Sequence, residues 1–85
     1  MLTKKMTVKI PNGLEARPVA VLVQKASCYE SSVYVECEDK KVNAKSIMGM
    51  MSLGIAAGEE VTIIVDGPDE EKAVQDIASF LNGEK

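Results

Sequence analysis

Two short segments and one absence bound the chemistry open to this chain. The first segment, Gly13-Leu14-Glu15-Ala16-Arg17-Pro18, sets a carboxylate two residues before a guanidinium where a helical pattern begins. A helix start offers free N–H groups and the positive end of the helix dipole, so it suits an anion. An arginine in its first turn adds charge-assisted hydrogen bonds to phosphoryl oxygens. The second segment, Lys45-Ser46-Ile47-Met48-Gly49-Met50-Met51-Ser52-Leu53, places a hydroxyl at the head of a short apolar run. Serine is a favoured N-cap there, because its oxygen accepts an N–H of the first turn. The absence is histidine, of which the 85 residues contain none. There is thus no Ser/His pair for nucleophilic catalysis and no histidine to complete a zinc set; no metal, no cofactor and no enzymatic activity of its own are expected.

The first segment resembles the active-site motif of the HPr family, the phosphocarriers of bacterial sugar transport. In that family a histidine stands at the position of Glu15 and carries the phosphoryl group. The stretch from Val42 to Leu53 is similar to the family's regulatory serine site and is intact. A lost histidine with a kept serine resembles the regulatory, Crh-type branch of the family better than the carrier itself. The resemblance covers essentially the whole chain. It implies one domain over residues 1–85 with an α+β fold, an open-faced two-layer sandwich in which three helices cover one face of a four-stranded antiparallel sheet. It implies phosphorylation of Ser46 by an HPr-kinase/phosphorylase-type enzyme using ATP. The phosphorylated form would then be corepressor of a LacI-type catabolite control transcription regulator, meeting it through Glu15, Arg17, Lys45, Ile47, Met48, Met51 and the phosphate. The alternative is a phosphocarrier working with proteins of the phosphoenolpyruvate-dependent sugar phosphotransferase system, which the missing histidine opposes.

The residues themselves leave several readings open. Glu15 can be an acidic residue favoured at a helix start by ~0.3–1 kcal/mol and paired with Arg17. It can also be a permanent negative charge standing in for a phosphoryl group, although a phosphate carries about -1.5 to -2 and three oxygens. A third reading has Glu15 accept a phosphoryl group itself. Lys40, Lys41 and Lys45 are either solvated cations or a positive rim around Ser46. A phosphate on Ser46 would change surface charge far more than shape. Four large apolar residues on a two-turn helix exceed one buried face; Met50 is assigned to the core, and Ile47, Met48 and Met51 to an exposed patch suited to protein partners.

The elements that must position these residues follow from periodicity. Met6, Val8 and Ile10 alternate with Lys5, Thr7 and Lys9 as a half-buried strand, which Pro11-Asn12-Gly13 ends in a turn. A helix runs from Ala16 to about Ser27, with Pro18 tolerated in its first turn. Val33, Val35 and Cys37 mark a second strand, Glu38 to Lys41 a polar hairpin turn, and Val42 a short third strand. A short helix follows Ser46, and Gly54 or Gly58 breaks the apolar stretch. Val61, Ile63 and Val65 mark a fourth strand, ended by Gly67-Pro68. Asp69 is an N-cap for a last helix whose stripe is Ala73, Val74, Ile77, Ala78 and Leu81. The order is β-α-β-β-α-β-α, with each strand burying one face.

Composition excludes further classes. A net charge of -3 and a pI near 4.9 argue against direct nucleic-acid binding, which needs clustered positive charge. No apolar run is long enough to cross a bilayer and the amino terminus has no signal-peptide pattern, so a cytoplasmic protein is expected. Cys28 and Cys37 fit no metal or redox spacing and are expected to be free, buried or half-buried thiols.

Overall fold

The computed structural model describes residues 1–10 and 16–83; the side chains of residues 16 and 17 also lie outside the description. The described elements are β1 (Leu2–Thr7), α1 (Ala16–Ser27), β2 (Ser32–Cys37), β3 (Lys40–Asn43), α2 (Ile47–Leu53), β4 (Glu60–Asp66) and α3 (Glu70–Leu81). The strands form one sheet in the order β1-β4-β2-β3, and every neighbouring pair is antiparallel. The expected α+β sandwich is therefore present, with its three helices packed on one face.

Register explains which residues enter the core. Val33 sits opposite Val65, and Val35 opposite Ile63, so one side of the β2–β4 ribbon is continuously apolar and fully covered. Ser32, Tyr34 and Glu36 alternate to the other side, as the two-residue period of a strand requires. The helices supply the opposite layer: Val19, Leu22, Val23 and Ala26 from α1, Met50 from α2, and Ala73, Val74, Ile77, Ala78 and Leu81 from α3 are all buried. At roughly 1.5–3 kcal/mol for each large apolar side chain, this burial is the main stabilising contribution.

Several local expectations need correction. The first strand begins at Leu2 rather than Lys5, and its ladder ends at Thr7. Val8 still exchanges hydrogen bonds with the β4 side, its N–H going to Glu59 and its carbonyl receiving Gly58, so the chain stays tied without continuing the regular ladder. The turn assigned to Pro11-Asn12-Gly13 lies outside the described residues. The β2–β3 hairpin turns at Glu38, whose φ of 57° leaves Lys40 and Lys41 free to enter β3. Asp69 occupies the N-cap position of α3 but makes no side-chain capping bond; its carboxylate instead takes the N–H groups of Glu30 and Ser31, at 3.0 Å each, and the Ser31 hydroxyl. Cys37 is buried as expected, whereas Cys28, beyond the end of α1, is exposed.

Candidate functional site

Ser46 is the N-cap of α2. Its extended backbone (φ -108°, ψ 115°) turns the side chain back toward the helix, and Oγ accepts the Gly49 N–H at 3.2 Å. This is the capping bond that serine supplies at such a position. The preceding turn is built by Asn43: its side-chain oxygen takes the Lys45 N–H at 2.8 Å, and its carbonyl takes the Ser46 N–H at 3.0 Å. Asn43 is a residue that reading the sequence overlooked. An asparagine three residues before a capping serine is the signal that could have found it, since its side chain readily closes such turns.

The helix after Ser46 divides its methionines as anticipated. Met50 is fully buried, whereas Ile47, Met48 and Met51 are 48%, 84% and 50% exposed. These three large apolar side chains leave an apolar patch on the solvent side of α2, a surface feature of the kind that suits protein contact. Val21, on the neighbouring helix α1, is exposed as well. Its position between the buried Val19 and Val23 is the available sequence signal, because an apolar residue off the stripe has no core role.

Two of the three lysines, Lys41 and Lys45, are engaged away from the hydroxyl. The Lys45 ammonium donates to the Tyr29 carbonyl at 2.9 Å, and the Lys41 ammonium lies 4.9 Å from the centre of the Tyr34 ring. Tyr29 belongs to a further cluster. Its phenol donates to Asp76 at 2.8 Å, and that bond is the main cause that pushes its pKa up to about 12. Lys25 meets the other oxygen of the same carboxylate at 3.3 Å.

Glu15 lies outside the described residues. Arg17 falls in the first turn of α1, but its side chain is outside them too. The structure thus brings Ser46, Ile47, Met48 and Met51 together on α2, sets the Lys45 head group apart from them, and leaves the relation of Glu15 and Arg17 to this face undescribed. Among the described residues no group of three or more His, Cys, Asp or Glu could hold a metal ion, and no helix is long and apolar enough to cross a membrane.

Comparison with known proteins shows the family and the fold. The family model for the PTS HPr component phosphorylation site matches residues 2–83. The HPr-like protein Crh of Bacillus subtilis (strain 168) is 46% identical over 84 residues, covering 99% of each chain. Among solved structures, HPr-C-His from Thermoanaerobacter tengcongensis superposes with a TM-score of 0.92 at 43% identity, covering 100% of this chain and 99% of its own. The crystal structure of Bacillus subtilis Crh, described as a domain-swapped dimer, gives 0.80 at 46% identity, covering 99% and 97%.

Proposed function

The chain belongs to the HPr family, and on that premise we propose that it is a regulatory protein of carbon catabolite control, switched by phosphorylation of Ser46. Membership sets it among carrier and regulatory proteins rather than enzymes. In this reading an HPr-kinase-type enzyme transfers the γ-phosphoryl group of ATP to Ser46 Oγ in the cytoplasm. The phosphorylated form then acts as corepressor of a LacI-type transcription regulator. Ile47, Met48 and Met51 supply the apolar part of the contact. Arg17 supplies positive charge, and Glu15 a fixed negative charge where the carriers have their histidine; the Lys45 ammonium, held on the Tyr29 carbonyl, lies outside this contact. The protein meets DNA only through its partner.

The observation that carries the reading is the exposed Ser46 hydroxyl flanked by three exposed apolar side chains, in a chain with no histidine. A phosphate there adds about -1.5 to -2 charge to a protein whose net charge is -3, a change a basic pocket can read. The experiment is incubation with an HPr kinase and ATP followed by intact-mass measurement, with Ser46→Ala beside it. One phosphate on the unaltered protein and none on the variant is the expected result. No uptake by the unaltered protein, with the kinase active on an ordinary HPr, overturns the reading.

The phosphocarrier alternative draws support from the match to the family model for the PTS HPr component phosphorylation site. It requires Glu15 to accept a phosphoryl group from phosphoenolpyruvate through the first enzyme of the sugar phosphotransferase system. Absence of transfer in that assay is expected here.

A further inference from the structure

The lysine beside the switch is tied away from it. Lys45 is half-buried, and its ammonium sits on the Tyr29 carbonyl. Helix α1 ends at Ser27, so this carbonyl lies just beyond it, in the connection to β2. Tyr29 is itself held on both sides. Its N–H reaches the Ala26 carbonyl at 3.3 Å, and its phenol is fixed to Asp76 of α3. At the other end of the tether, the Lys45 and Ser46 amides both close on Asn43. One extended side chain therefore links the turn that carries Ser46 to a connection braced on α1 and α3.

We propose that Lys45 is a positioning residue for the phosphorylation of Ser46, holding the Asn43–Ser46 turn so that the hydroxyl meets its phosphoryl donor in one orientation. The ammonium stays on the Tyr29 carbonyl after transfer and does not neutralise the phosphate. The inference rests on Ser46 being the modified residue. In the step itself the Ser46 Oγ–P bond forms as the bond from the γ-phosphorus to the β–γ bridging oxygen of ATP breaks. ADP leaves, and the hydroxyl proton passes to a base of the kinase. Lys45 touches none of these atoms. It restricts the nucleophile, and a nucleophile free to wander by ~1 Å can lose up to ~10²-fold in rate.

The test compares unaltered protein, Lys45→Met and Lys45→Arg as substrates of an HPr kinase with ATP. It is followed by a 31P NMR titration of the phosphoserine, whose second ionisation ordinarily lies near pH ~6. For Lys45→Met, kcat is expected to fall at least about fivefold while KM stays within about twofold. Lys45→Arg, which keeps a cationic donor, is expected to recover most of that loss. The phosphoserine midpoint is expected to rise by less than about half a pH unit in Lys45→Met. A smaller fall in kcat, a loss confined to KM, no recovery with arginine, or a larger rise of the midpoint overturns the proposal and leaves Ser46 phosphorylation standing. Failure of the unaltered protein to take up phosphate overturns both together.

Discussion

A Cβ added to Gly67 would lie 2.5 Å from the Cα of Ser31. The β4–α3 connection thus runs against the α1–β2 connection with no room for a side chain, and the contact is with backbone that cannot rotate aside. Gly67→Ala is expected to destabilise the fold by about 1–3 kcal/mol, as overpacking does. Urea unfolding should show this as a lower midpoint; an unchanged midpoint would mean that the two connections are separable.

The same junction gives the stability a pH dependence. Asp69 is held below its ordinary value of 3.8, chiefly by the Ser31 hydroxyl and then by the Glu30 N–H. A carboxyl depressed on folding contributes stability that is fully present above its unfolded pKa and lost as pH falls through its folded pKa. Asp69→Asn should therefore melt below the unaltered protein at neutral pH, with the gap closing progressively below about pH 4. A gap that is constant down to pH 2 would contradict this. Ser31, fully buried, should respond in the same direction when changed to alanine.

The two thiols should separate cleanly. Burial, and then the hydrogen bond that Cys37 Sγ donates to Glu59 at 3.3 Å, push the Cys37 thiol up. Cys28 is exposed. Ellman's reagent at pH 8 is expected to titrate one thiol quickly in the native protein and the second only on unfolding, since the thiolate is the reactive form. Cys28→Ser should remove the fast phase. Two fast thiols in the native state would show that the β2 end is not closed as described.

On α2, neighbouring methionines should behave oppositely. Met50→Ala empties a fully buried site and should cost about 2–5 kcal/mol of stability. Met48→Ser, at a side chain 84% exposed, should change stability by less than about 0.5 kcal/mol and instead weaken partner binding. Chemical denaturation paired with a binding measurement on both variants checks the division. Equal stability losses would mean that the α2 face is not free.

Much of this was legible in the sequence because periodicity reports burial directly. Val33, Val35 and Cys37, the Val61–Val65 run and the α3 stripe all fall where alternation and helical spacing put them. Ser46 as N-cap and Met50 as core follow from the same local rules. Side chains that work across the fold were not legible. Asp69 carries the local signature of a cap, yet its carboxylate is taken by Glu30 and Ser31, brought near only by the sheet order. Lys45 reads as part of a basic rim, yet its ammonium is taken by a carbonyl sixteen positions earlier in the chain. The start of β1 at Leu2 was hidden because Thr3, Lys4 and Lys5 form a polar run on an edge strand, where charge is tolerated as protection against stray pairing.

The measurement that tests the central claim most directly is calorimetric binding to a purified LacI-type catabolite control regulator, with the protein unmodified and with Ser46 phosphorylated. The phosphorylated form is expected to bind at least about tenfold more tightly, a difference of about 1.4 kcal/mol, and Ser46→Ala treated with the kinase should match the unmodified protein. Equal affinity of the two forms would contradict a phosphoserine-switched corepressor.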